Sequence, residues 1–124
     1  MKGQPFIKRL GFALKGIALT FRRESSFRTH VLVAVGVLVL LCIARPAPVW
    51  WAIVVVVTGL VLLAELFNSA LETLTDHLHP DQHPEIGVAK DMAAGAVLVA
   101  SAIAVLVGIA FVVAWWRDTS GPTT

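Results

Sequence analysis

Residues 49–76 read VWWAIVVVVTGLVLLAELFNSALETLTD. Residues 49–64 are apolar except for Thr58 and Gly59. The β-branched stretch Ile53-Val54-Val55-Val56-Val57 would favour a strand in water. In lipid only helices and closed barrels satisfy every backbone N–H and C=O, so at this length the run predicts a helix. Glu65, Asn68, Glu72 and Asp76 follow at intervals of three, four and four. On a helix they form one stripe about 80° wide. A single helix, unbroken through both parts, is therefore expected to carry an apolar half and a carboxylate-bearing half.

Two further apolar runs flank this one. Residues 31–44 are interrupted only by Gly36. That is short, since about 20 residues cross a hydrocarbon core of about 30 Å. It lengthens at both ends if Arg28 and Arg45 snorkel to the interfaces. Residues 92–116 are long enough without help. Trp50 and Trp51 mark one interface, and Trp115 and Trp116 another. Residues 5–24 form a separate element. Phe6, Ile7, Leu10, Leu14, Ile17 and Phe21 fall within about 100° of a helical wheel. Lys8, Lys15 and Arg22 lie nearly opposite, the pattern of a helix lying in the membrane surface. Phe12 and Leu19 break the polar face, which implies contact with protein as well. The expected fold is an all-α integral membrane protein, with three transmembrane helices (about 28–46, 48–76 and 88–117) and an N-terminal amphipathic surface helix. Residues 1–124 make one membrane-embedded domain.

Composition agrees. The hydrophobic fraction is 57% and the charged fraction 15%, with a mean hydropathy of +0.82, more apolar than an ordinary soluble domain. The net charge of +2 is too small to suggest a nucleic-acid partner. The single cysteine, Cys42, excludes a disulfide framework and a zinc motif. The first apolar run starts too late for a secretory signal peptide, so the runs are expected to remain in the mature protein. Lys2, Lys8, Arg9, Lys15, Arg22, Arg23 and Arg28 all precede it. Positive residues stay inside, so the N-terminus and a loop over residues 76–91 are expected to be cytoplasmic, with Thr124 outside.

Depth follows from helix rise. If Val49 marks the outer boundary, Glu65 lies roughly 24 Å further in, still within the hydrocarbon. Asn68 then sits near the cytoplasmic edge and Glu72 just beyond. A carboxylate at the depth of Glu65 faces a polar cavity or partner and is a candidate functional group. Glu24 closes the surface helix. Lys90 opens the third span at the membrane surface, ahead of Ala93, Ala94, Gly95 and Ala96, which permit close helix packing. Together these groups suit phosphoryl transfer. Glu24 and Glu72 can share a magnesium ion, Lys90 can hold phosphates, and Glu65 can reach a lipid hydroxyl that cannot leave the bilayer. There is no GxxxxGK[ST] loop and no kinase glycine-rich loop.

The run ELFNSALETLTD (residues 65–76) resembles the ExxN[ST]AxExxxD motif of the prokaryotic diacylglycerol kinases. AKDMAAGAVL (residues 89–98) is similar to their second motif, and RRESSFR (residues 22–28) to the segment bearing their N-terminal glutamate. The three occur in order and cover nearly the whole chain. The resemblance implies a homotrimer in the bacterial inner membrane, with active sites at subunit boundaries near the cytoplasmic face. It implies Glu65 as general base and Glu24 and Glu72 as ligands of Mg2+. Asn68, Lys90 and Asp91 would serve ATP and the transition state, and His83 and Gly87 match loop positions near the nucleotide. Phe12 and Leu14 stand where Gram-negative members often carry aromatic residues with polar edges. His30 and AAGAVL look more like the Gram-positive branch, whose members prefer undecaprenol.

The implied reaction is ATP-dependent phosphorylation of diacylglycerol to phosphatidic acid, with undecaprenol as the alternative lipid. A small multidrug-type transporter also uses a membrane glutamate, but would more typically have four spans and needs no carboxylate stripe continuing into the cytoplasm. A non-catalytic scaffold gives no reason for Glu65 at depth.

Overall fold

The computed structural model describes residues 2–81 and 83–119; the position expected for Thr124 lies outside them. It has four helices: α1 (Phe6–Arg23), α2 (Ser25–Ala44), α3 (Pro48–Leu78) and α4 (Pro84–Thr119). No strand occurs among the described residues. Helices α2, α3 and α4 are long and apolar enough to cross a membrane. The protein is an all-α integral membrane protein.

Local chemistry sets the helix ends. Pro48 begins α3 and Pro84 begins α4, where the missing N–H of proline is no loss and its fixed φ suits the helix. Helix α2 stops at Arg45, which takes a left-handed φ of 49° while its N–H bonds to Leu41 O. Pro46 follows and cannot continue the helix. Helix α3 runs unbroken for 31 residues, roughly 46 Å at 1.5 Å per residue. That exceeds a hydrocarbon core of about 30 Å, so the helix extends past the core.

The loop expected over residues 76–91 is shorter than the sequence suggested. Helix α3 continues to Leu78 and α4 starts at Pro84, leaving residues 79–83 as the connection. Proline is a loop signal in most settings, but Pro84 stands at the first position of α4, where a helix accepts it. Glu85 in the first turn complements the helix dipole.

Helix α3 is central, packing most extensively on α4 and also on α2. Its buried residues Val54, Val57, Val61, Glu65 and Ser69 recur every three or four positions, so Glu65 lies on the packed face. Away from the α3–α4 loop, Leu41, Val54 and Phe111 join the three long helices. The Trp50 ring meets Phe111 edge-on at 5.5 Å, so this interface tryptophan also packs within the bundle. Helix α1 touches α2 and α3. It buries no residue completely, and Phe6, Ile7 and Leu14 are largely exposed. Of the two residues that break its polar face, Leu19 is half-buried and Phe12 is exposed.

The accessible area is 9225 Å², against roughly 6,500 Å² for a compact soluble protein of this mass. Much of the excess is apolar, including Leu32, Ile43, Phe67, Leu98 and Leu106. Lipid is the solvent that such a surface requires.

Candidate active site

The polar stripe of α3 divides into three environments. The deepest centres on Glu65, which is 5% exposed. Helix α2 supplies its neighbours. Ser26 Oγ lies 3.1 Å from both Glu65 carboxylate oxygens, and its hydroxyl donates. His30 Nδ1 lies 2.9 Å from Oε1, close enough for an ion pair but without the alignment of a hydrogen bond. Ser26 and His30 are one helical turn apart and so share a face of α2. A cavity of about 270 Å³ opens between α2, α3 and α4, lined by His30, Val61 and deeper apolar residues together with Thr58 and Ser101.

The second environment is Asn68, one turn along α3. It faces an apolar groove of about 780 Å³ between α3 and α4, opposite Ala93, Ala96 and Ala100. Its Oδ1 is buried without a hydrogen-bond partner. A buried, unpaired amide oxygen is costly, so Asn68 holds an unsatisfied acceptor beside this groove.

The third is a polar cleft of about 490 Å³ at the α3–α4 loop, lined by Asp76, His79, Asp81, His83, Gly87 and Lys90 among others. Lys90 Nζ donates to Asp76 Oδ1 at 2.7 Å, and the Glu72 carboxylate attracts it as well. His83 Nδ1 accepts from the Glu85 N–H at 3.1 Å, and its carbonyl accepts from the Gly87 N–H at 2.9 Å. His83 thus closes the first turn of α4. No heavy atom lies near where a side chain on Gly87 would project, so packing in this protomer does not demand glycine there.

Glu24 sits at the α1–α2 junction, half-buried. It occupies the N-cap position of α2, yet its side chain makes no cap hydrogen bond. Arg28 does not neutralise it, because that guanidinium binds the carbonyls of Phe21 and Arg22 at the end of α1. Glu72 is likewise half-buried and makes no side-chain hydrogen bond or ion pair among the described residues. No group of three or more His, Cys, Asp or Glu side chains converges among the described residues. Magnesium is usually held by only one or two carboxylates plus phosphate oxygens. Glu24 and Glu72, with all their oxygens uncommitted, fit that requirement.

Of the residues singled out in the sequence, His83, Gly87 and Lys90 therefore meet in one cleft. Glu65 is buried against Ser26 and His30 of α2, Asn68 lines the α3–α4 groove, and Glu24 stands at the helix junction. Asp91 is exposed and does not line the cleft. The sequence reading missed Ser26 and His30 as partners of Glu65, and Asp76 as the partner of Lys90. Both α2 residues sit in or beside the RRESSFR segment, but nothing in their spacing points to a residue on α3.

Residues 11–112 match the prokaryotic diacylglycerol kinase family. The chain belongs to that family. Among its relatives is a diacylglycerol kinase of Pseudomonas aeruginosa, 38% identical over 106 residues, covering 80% of this chain and 84% of the relative. An undecaprenol kinase of Bacillus subtilis is 34% identical over 104 residues, covering 84% and 85%. A diacylglycerol kinase of Escherichia coli K12 is 30% identical over 100 residues, covering 81% and 82%. As a member of the prokaryotic diacylglycerol kinase family the chain is a membrane lipid kinase, which acts on a lipid and draws on a nucleotide phosphoryl donor.

Proposed function

We propose that this chain transfers the γ-phosphoryl group of ATP to the hydroxyl of diacylglycerol, releasing ADP and phosphatidic acid. The carrying observation is a buried carboxylate, Glu65, on the packed face of a membrane helix whose stripe leads out to a polar cleft. From Glu65 to Asp76 is roughly 16 Å along the helix. A lipid hydroxyl held in the bilayer and a nucleotide held in water meet along that track.

In this reading Glu65 is the general base. It takes the hydroxyl proton as the lipid oxygen bonds to the γ-phosphorus and the bond to the ADP oxygen breaks. Lys90 holds phosphate oxygens, with His83, Gly87 and Asp91 beside the nucleotide. Asn68, whose Oδ1 has no partner among the described residues, would serve the nucleotide and the transition state. Glu24 and Glu72 would hold Mg2+, which supplies charge neutralisation on the phosphates. The whole chain acts as one membrane-embedded domain, α1 lying on the membrane surface and residues 28–46, 48–76 and 88–117 spanning it. The N-terminal basic cluster supports a cytoplasmic N-terminus in the bacterial inner membrane. The exposed apolar faces and the open groove at Asn68 support assembly, which we take to be a homotrimer.

Undecaprenol is the second reading, supported by the Bacillus subtilis relative that bears that name. The test is transfer of labelled phosphate from ATP to diacylglycerol and undecaprenol, each in mixed micelles with Mg2+. Faster transfer to diacylglycerol is expected. A clear preference for the polyprenol would reverse the assignment, and no transfer to any lipid alcohol would overturn it.

A further inference from the structure

The geometry points to His30 as a positioning residue for Glu65, acting with Ser26 and leaving Oε2 as the oxygen that meets the lipid hydroxyl. This rests on the reading of Glu65 as general base. The two carboxylate oxygens are not equivalent. Oε1 is approached by Ser26 Oγ at 3.1 Å and His30 Nδ1 at 2.9 Å, whereas Oε2 is approached by Ser26 alone. Ser26 carries one hydroxyl proton and serves one oxygen at a time. His30 is therefore what distinguishes the two. Its Nδ1 is buried and has no polar partner other than this carboxylate among the described residues.

The ring also borders the cavity between α2, α3 and α4. With Ser26 and His30 on one helix and Glu65 on another, the α2–α3 packing fixes the carboxylate plane. A catalytic group must be held within about 0.5 Å and 10–20° of its working geometry. Without His30, Glu65 can turn about its last side-chain bond and share Ser26 between its oxygens in either sense. Nucleotide binding, at the far end of the stripe, would be untouched.

The test compares three substitutions at His30, each alone and in a Glu65→Gln background, with assembly checked in detergent. His30→Ala should lower kcat about ten- to a hundredfold, the scale of a misplacement of about 1 Å, with the KM for ATP unchanged. His30→Asn should recover most of the loss, because its amide nitrogen stands as many bonds from the backbone as Nδ1. His30→Gln, closer to histidine in volume but with its amide one bond further out, should recover less. In the Glu65→Gln background His30→Ala should lower kcat no further. Glutamine restoring activity better than asparagine would make the role one of volume and overturn the proposal, even if the alanine variant fails to assemble. So would additive losses in the double variant. A normal kcat for His30→Ala beside a depressed Glu65→Gln would overturn the positioning role alone. A normal kcat for Glu65→Gln would overturn the base reading and this inference with it.

Discussion

Lys90 on α4 donates to Asp76 on α3 at 2.7 Å, with its side chain 34% exposed and that of Asp76 65% exposed. A pair this open to water adds little to stability. In the proposed reading its role is orientation: it holds the ammonium at the polar cleft, where a phosphate oxygen would replace Asp76 as acceptor. Lys90→Ala should raise the KM for ATP by about ten- to a hundredfold, the range of a lost hydrogen bond to a charged group. Thermal unfolding should move by only a few degrees. Loss of assembly with an unchanged KM would make the pair a clamp between helices instead.

Glu24 at the α1–α2 junction and Glu72 on α3 are half-buried carboxylates with no side-chain partner among the described residues. If each contributes oxygens to one magnesium ion, Glu24→Gln and Glu72→Gln should each raise the half-saturating magnesium concentration at least about tenfold, or abolish turnover, in protein that still assembles. Titration of activity with Mg2+ at fixed ATP measures this. A normal magnesium dependence in both variants would remove the shared-metal role.

Topology has its own test. In the proposed topology, which rests on the basic residues ahead of α2, the N-terminus and the α3–α4 connection are cytoplasmic and the end of α4 is outside. Cysteines introduced at Asp81 and at Asp118, in a Cys42→Ala background, should be labelled by a membrane-impermeant reagent only at Asp118 in intact cells. Labelling at Asp81 alone would invert the orientation.

The fold was largely legible because its signals are local. Three apolar runs, an amphipathic segment with its charges opposite its apolar face, and a carboxylate stripe at helical spacing are each contained within one element. The loop was drawn too long because Pro84 and Gly87 signal a turn or a helix start equally well, and only the His83–Glu85 and His83–Gly87 hydrogen bonds decide between them. The site was half legible for the same reason. Depth and period pick out Glu65, but Ser26 lies 39 positions away, and periodicity carries no information across that distance. Asp76 stood in the stripe by its spacing, but its partner Lys90 is visible only once α3 packs on α4. Asn68 stood out by its place in the stripe, whereas its unpaired Oδ1 is visible only once the groove beside it is formed.

The central claim is that Glu65 accepts the proton of the lipid hydroxyl. General-base catalysis typically contributes about 10² to 10⁴-fold. Glu65→Gln keeps the size of the side chain and its acceptor oxygen for Ser26, and removes the basic site. The most direct measurement is kcat of this variant at saturating ATP and lipid, with assembly and ATP binding determined on the same preparation. A fall of about a hundredfold or more, with ATP binding nearly intact, is the expected result. A fall of less than about tenfold would contradict the claim, leaving Glu65 to position the hydroxyl in a loose transition state that needs no base.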